Sequence, residues 1–166
     1  MNASGALTIN GLELDWVQPL DFLLGKWGLE GFGINANYTL VDQIGTGAAP
    51  AIATGVSPHT YNVAGYYDHG PVTLRLATVY YKGSQTALAP QNGIQGGNFS
   101  SDYRQWDFSS IWDIGKMFNW SHEVQITADV VNIFQAKQRQ YFQFSNATFT
   151  QYDPGRQYLI GVRGKF

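Results

Sequence analysis

Apolar and polar residues alternate along most of this chain, a pattern typical of strands with one apolar and one polar face. In the last stretch Tyr158, Ile160 and Val162 fall on one face, whereas Arg163 and Lys165 fall on the other. Chain ends are usually polar and frayed, so a strand that continues to the final residue is predicted to be held in a sheet.

Six earlier stretches show the same alternation and are predicted strands. They span residues 6–17, 29–41, 58–68, 72–82, 102–113 and 120–131. With the terminal strand they predict an all-β fold, an antiparallel up-and-down meander of about seven to eight strands. The first stretch changes phase at Asn10 and Gly11, which predicts a β-bulge there.

The connections between the predicted strands differ in length. Segments 42–57, 83–101 and 132–153 are long, whereas the turns around His69 and Met117 are short. Outer-membrane barrels show this asymmetry, with long extracellular loops and short periplasmic turns. We expect 132–153 to extend strands above the bilayer. The connection 18–28 is too apolar for a solvated loop, and we expect it to lie against the membrane surface or to fold back on the sheet.

Composition narrows the class of protein further. Of the 166 residues only 13% are charged, 15% are aromatic and 19 are Gly, which fits an all-β protein with an interfacial aromatic belt. The net charge of -2, without a basic stripe, gives no indication of nucleic-acid binding. The absence of Cys excludes disulfides and Cys-based metal sites. No apolar run has the length of a transmembrane helix, so any membrane crossing is predicted to be made by strands.

The N-terminal sequence shows no basic region followed by an apolar core, and so no signal peptide. For an exported protein this predicts that the chain is the C-terminal piece of something longer.

Alternation alone does not separate a membrane barrel from a soluble β-sandwich, because in a sandwich the apolar face would meet a core. Tyr and Trp near strand ends, with smaller aliphatic residues between them, favour the barrel, since a packed core would place its largest residues centrally. These aromatic residues are Trp16, Tyr38, Tyr61, Tyr67, Tyr80, Trp106, Trp112 and Trp120.

Several short segments occur in an order and spacing that cover nearly the whole chain. They are GLELDW (11–16), QPLDF (18–22), GFGINANYT (31–39), HTYNVAGYY (59–67), GPVTLR (70–75), DVVNI (129–133), DPGRQY (153–158) and GVR (161–163) with Phe166. Together they resemble the C-terminal end of a TonB-dependent outer-membrane receptor.

The resemblance implies a fold, a place and an activity. It implies that residues 1–166 are the last part of a barrel of about 22 strands in the bacterial outer membrane, without the earlier strands and the plug. It implies TonB-coupled uptake of a scarce solute, such as an iron–siderophore complex or an oligosaccharide, and no enzymatic activity. The implied partners are outer-membrane lipid, the rest of the barrel and plug, and the assembly machinery, with TonB contacting only the plug. The terminal strand resembles the assembly signal, carried by Gly161, Val162 and Phe166.

The side chains indicate no catalytic constellation. His59, His69 and His122 lie in separate elements without metal-ligand spacing, so no metal or other cofactor is predicted. The carboxylates of the predicted lumenal faces are better explained as polar lining than as a glycosidase pair.

Contact with a solute is expected from the long loops and the upper lumenal face, where aromatic and amide groups suit a sugar or an iron chelate. The candidates are Tyr81, Asn92, Tyr103, Phe142 and Tyr152. Two other interpretations remain open from the residues themselves: a small self-contained outer-membrane β-barrel of about eight strands, and a soluble β-sandwich binding module.

Overall fold

The computed structural model describes residues 5–47, 51–88, 93–94 and 96–165, and these are mostly antiparallel strands. The strands are β1 Leu7–Pro19, β2 Phe32–Gly45, β3 His59–His69, β4 Val72–Tyr81, β5 Gln85–Leu88, β6 Gly97–Ser100, β7 Tyr103–Asp113, β8 Glu123–Val131, β9 Gln138–Phe142, β10 Thr148–Tyr152 and β11 Gln157–Lys165. Short helices are α1 Asp21–Leu24 and α2 Ile114–Met117, and a 3₁₀ turn spans Gly25–Trp27.

Seven strands form the main sheet, in the order β1-β2-β3-β4-β7-β8-β11. Every neighbouring pair is antiparallel, and all six pairings keep one register along their length. These strands correspond to the seven predicted from the alternation. The all-β class and the antiparallel up-and-down meander are therefore confirmed.

Register divides the main sheet into two faces, because directly paired residues project to the same side. On one face, which we call the apolar face, Ile34 pairs with Gly65, Gly65 with Leu76, and Leu76 with Phe108. The same phase continues through Val130 to Tyr158. The other face, the polar face, carries mainly polar side chains and is lined in part by Asp15, Asn35, Asn37, Asn62, Arg75 and Asp107.

Four short strands form a second sheet, in the order β10-β9-β6-β5. They continue the four neighbouring strands β11, β8, β7 and β4 of the main sheet across brief interruptions. The prediction that 132–153 contains extensions of strands is thus confirmed, because β9 and β10 lie in it. Their place above a bilayer stays a prediction. The prediction that 83–101 is a loop is wrong, because this segment contains β5 and β6.

The predicted bulge at Asn10 and Gly11 is also wrong. β1 and β2 stay in one register from the pair Leu7–Gly45 to the pair Pro19–Gly33. β2 continues four residues beyond its predicted end and supplies partners for the start of β1. The phase change therefore reflects two apolar residues, Leu7 and Ile9, whose side chains lie on the polar face of a regular strand.

The connections lie at two ends of the main sheet. The end with connections 20–31, 70–71 and 114–122 is called the short-loop end, and the end with 46–58, 82–102 and 132–156 the long-loop end. The predicted asymmetry of connection lengths is confirmed.

Segment 20–31 protrudes from the sheet at the short-loop end. Phe22 is 68% exposed and Trp27 70% exposed, so the expectation that this segment folds back on the sheet is wrong. Its shape is fixed locally, because the Gly31 N–H donates to Asp21 Oδ1 at 2.7 Å. Placement against a membrane surface stays a prediction.

The described residues contain almost no hydrophobic core. Only Ala64 and Tyr103 are buried among their hydrophobic and aromatic side chains. No strand of the second sheet packs extensively on a strand of the main sheet, so the described part is not a β-sandwich. β1 and β11 are the two edges of the main sheet and do not pair with each other, so the described sheet is open.

Candidate functional site

The apolar face is the largest candidate interaction surface. Near the centre of the sheet Leu76 is 44% exposed, and on the edge strand Ile160 and Val162 are 83% and 75% exposed. Soluble proteins rarely leave a contiguous apolar surface of several strands open to water. This face therefore requires an apolar neighbour.

Aromatic side chains of the apolar face collect at both ends of the strands. At the long-loop end the Tyr61 and Tyr80 rings stack with centroids 4.9 Å apart, and the Tyr38 hydroxyl lies 2.7 Å from His59 Nδ1. At the short-loop end the Phe32 and Tyr67 rings lie 4.8 Å apart. The long-loop belt consists of Tyr38, Tyr61, Tyr80, Trp106 and Tyr158, where Tyr38 lies near the middle of β2 and pairs with Tyr61. The short-loop belt consists of Trp16, Phe32, Tyr67 and Trp112. Trp120 lies in the connection 114–122 at the short-loop end.

Between the belts the apolar face carries aliphatic and small residues, with Phe108 as an aromatic exception. Leu76 pairs with Gly65, and Ala128 with Ile160. Aromatic rims around an aliphatic band match the two interfaces and the hydrocarbon of a bilayer.

Arg104 is a cation within the long-loop belt. Its guanidinium carbon lies 5.3 Å from the centre of the Tyr80 ring and 5.9 Å from that of Tyr61. A long basic side chain at the end of a strand can cover aromatic rings and keep its charge near water, which suits an interface.

Asp102, between β6 and β7, links neighbouring strands at the long-loop end of the main sheet. It accepts hydrogen bonds from the Gly83 N–H at 2.9 Å and the Tyr80 hydroxyl at 2.8 Å. The Gly83 N–H, followed by the Tyr80 hydroxyl, lowers the pKa of the Asp102 carboxyl below its ordinary value. The charged carboxylate thus joins the end of β4 to the start of β7.

A pocket of about 220 Å³ lies where the two sheets meet; we call it the junction pocket. It brings together three of the residues predicted to contact a solute: Tyr81, Tyr103 and Tyr152. Phe142 does not line it, because its ring lies against Gly96. Asn92 lies outside the described residues.

Sequence reasoning missed the rest of the junction-pocket lining, which consists of Ser100, Ser101, Gln138, Arg139, Gln140 and Thr150. Gln140 pairs with Ser100 on one side and Thr150 on the other, while Gln138 pairs with Tyr152. These five side chains therefore share one face of the second sheet. β9 begins with three consecutive polar residues, so it has no alternation that would have indicated its faces or its pairing with β6.

Tyr81 and Tyr103 form the floor of the junction pocket, and a chain of hydrogen bonds holds Tyr103 in place. The Tyr103 hydroxyl donates to Gln105 Oε1, and Gln105 Nε2 donates to Asp107 Oδ1 at 2.8 Å. Asp107 Oδ1 also accepts from the Asn132 backbone N–H at 2.8 Å. Asn132 is 2% exposed, and its side chain bonds the backbone of Ala136 and Gly155.

Two of the three predicted assembly residues, Gly161 and Val162, lie on the edge strand β11. Gly161 pairs with Thr127 on the polar face, and a Cβ at Gly161 would stand 2.7 Å from Thr127 Oγ1. Val162 pairs with Ile126 on the apolar face. Phe166 lies outside the described residues. β11 pairs with β8 alone within the described chain, so its outer edge has backbone groups open to another strand.

Within residues 5–47, 51–88, 93–94 and 96–165, no group of three or more His, Asp or Glu side chains could hold a metal ion. Nor does any helix of these residues have the length and apolarity needed to cross a membrane.

Comparison of the chain with protein-family models, with curated proteins and with solved structures finds no match.

Proposed function

We propose that this chain forms the C-terminal part of the β-barrel of a TonB-dependent receptor in the bacterial outer membrane. The observation that carries the proposal is the uncovered apolar face, which keeps one phase across seven strands and is bounded at both ends by aromatic belts. In hydrocarbon every backbone polar group needs an internal partner, a condition that a closed antiparallel barrel meets.

The polar face suits the lumen of a wide barrel. Asn62 Nδ2 donates to Asn37 Oδ1 at 2.8 Å, and Arg75 and Asp107 line the same concave surface. Polar and charged groups of both signs are typical of a water-filled or plugged interior. In this proposal the plug and the remaining strands complete the barrel through the open edges of β1 and β11.

The proposal sets an orientation. The short-loop end faces the periplasm and the second sheet stands outside the cell, since periplasmic turns are short and extracellular loops long. The exposed Phe22, Leu23 and Trp27 then lie in the periplasmic interface, next to the short-loop belt.

Energy coupling through TonB and uptake of an iron–siderophore complex or an oligosaccharide rest on the family resemblance. The junction pocket, on the same side as the polar face, supports capture of a solute close to the lumen. The assembly machinery would recognise β11 by its exposed edge and its apolar Tyr158, Ile160 and Val162.

Two other functions fit less of the geometry. A small complete barrel would join its first and last strands, whereas β1 and β11 are separate edges in the described sheet. A soluble sandwich would cover the apolar face, which is uncovered in the described residues.

The test is to express the chain, with the sequence that flanks it in its gene, in a Gram-negative host. Recovery in the outer-membrane fraction, with solute uptake that stops when the proton gradient or TonB is removed, is the expected result. Recovery in the soluble fraction without detergent would contradict it.

A further inference from the structure

We infer that the junction pocket binds one ring of an uncharged oligosaccharide; this deepens the proposed uptake function, on which it rests, by choosing between its two solute classes.

Aromatic rings form one side of the junction pocket. Tyr81 and Tyr103 pair across β4 and β7 and stack with centroids 5.0 Å apart at an interplanar angle of 22°. Tyr103 is 6% exposed, so the floor is fixed, while Tyr152 on β10 is 62% exposed. The C–H face of a sugar ring packs well on such aromatic faces, because both surfaces are flat and apolar while the hydroxyls point outward.

Amides and hydroxyls form the rest of the pocket. Gln138, Gln140 and Thr150 project from the same face of the second sheet. Amide groups donate and accept hydrogen bonds at once, as sugar hydroxyls do. These amide and hydroxyl side chains are therefore complementary to the hydroxyl groups of a sugar.

Charge argues against an anionic iron chelate. No Asp or Glu lines the junction pocket, and Arg139 is its only cationic lining residue. Arg139 lies between Gln138 and Gln140 in β9, so its side chain leaves the strand on the opposite face. There its guanidinium donates to the Ser145 carbonyl and lies 5.9 Å from the centre of the Tyr141 ring. Anion recognition requires converging Arg or Lys groups, which the pocket does not present.

The volume of the junction pocket also favours a sugar ring over an iron chelate. Pockets that enclose a drug-sized ligand begin at about 300 Å³. At about 220 Å³ the junction pocket is too small to enclose a whole iron–siderophore complex but can hold one sugar ring. The remaining rings of an oligosaccharide would extend along the polar face.

The experiment uses the chain with its flanking sequence, inserted in phosphatidylcholine vesicles or held in detergent micelles. The probes are a panel of uncharged hexose, pentose and N-acetylhexosamine trisaccharides, with ferrioxamine B and ferric enterobactin as chelates. Binding is measured by isothermal titration calorimetry. The expected result is that at least one trisaccharide binds and that neither chelate does.

Substitutions assign the binding to the junction pocket. Tyr152→Ala should weaken trisaccharide binding about tenfold, because it removes the exposed stacking face. Phe149→Ala is the matched control, since Phe149 is an exposed aromatic of the same strand that does not line the pocket. It should leave the affinity unchanged.

The inference is overturned if no trisaccharide binds, if a chelate binds and Tyr152→Ala weakens it, or if both substitutions act alike. Insertion into the vesicles is scored on the same samples by flotation. Failure to insert counts against the barrel proposal, while binding in detergent still decides the sugar assignment.

Discussion

The two sheets are built from adjoining parts of the same strands, yet different constraints shape them. The main sheet keeps one register through six pairings and places most of its apolar side chains on one face. The second sheet has strands of four or five residues, and two of its three pairings shift register. Its β10 is exposed throughout.

In the proposed barrel, the difference follows from what each sheet would face. A sheet between hydrocarbon and an aqueous lumen must keep its side-chain phase, because a slip by one residue exchanges the two faces. A sheet surrounded by water has no such requirement and can tolerate bulges. Its shape depends instead on specific bonds, such as those of Asn132.

The largest expected effect is a difference in the free energy of unfolding between substitutions on the two faces of the main sheet. Leu76→Lys places a charge on the central apolar face, whereas Ala77→Lys places it on the polar face, opposite Asp107. In vesicles we expect Leu76→Lys to lower the free energy of unfolding by about 2–4 kcal/mol, from the cost of a charge in hydrocarbon. Urea titration of the inserted protein measures it. Equal losses for both variants would contradict lipid contact at the apolar face.

A somewhat smaller effect is expected in the second sheet. Asn132→Ala removes three buried side-chain hydrogen bonds and places Ala at a φ of 57°. We expect a loss of about 1–3 kcal/mol, confined to β9, β10 and the start of β11. Hydrogen exchange should quicken there and not in β2 and β3.

Asn132→Gly is the control for this second prediction, since it tolerates the positive φ but loses the same bonds. If it behaves like the wild-type chain, backbone strain and not hydrogen bonding sets the cost.

The next prediction tests whether segment 20–31 lies against the membrane surface. In a variant that keeps Trp27 as its single tryptophan, fluorescence should be strongly quenched by lipids brominated near the headgroup, because Trp27 is expected in the interface. Ile52→Trp in a tryptophan-free background is the matched control at the long-loop end, where Ile52 is 51% exposed. Similar quenching at both positions would contradict the expectation that segment 20–31, unlike the long connection around Ile52, lies against the membrane surface.

The smallest effect concerns pH. Lys137 Nζ lies 2.8 Å from Asp153 Oδ2, and this partner, followed by the Gly155 N–H, lowers the pKa of the Asp153 carboxyl. A lowered pKa in the folded state stabilises the fold above the ordinary carboxyl value, and the contribution is lost as the pH falls through the lowered pKa. The protection of the Gly155 amide, which is its exchange rate corrected for the intrinsic pH dependence of exchange, should therefore fall on acidification below the ordinary value. In Asp153→Asn this dependence should vanish; if it persists, another group is responsible.

Part of the candidate site was predictable. The sequence indicates three aromatic residues in or beside the long connections, Tyr81, Tyr103 and Tyr152. The structure brings them together in the junction pocket. The sequence does not indicate Gln138 and Gln140, because their place in the pocket depends on the pairing of β9 with β6. The closest ends of these strands, Ser100 and Gln138, have 37 residues between them. Four-residue strands are too short for their alternation to indicate a partner.

The sequence by itself determined the seven long strands, their two faces and the unequal connections, because the side-chain period of these strands repeats over nine or more residues. Only the tertiary structure decided that the long connections form a second sheet, that β1 continues without a bulge, and that a pocket lies between the sheets. Those features depend on hydrogen bonds between segments distant in the chain, and a local pattern of apolar and polar residues carries no information about which segments meet.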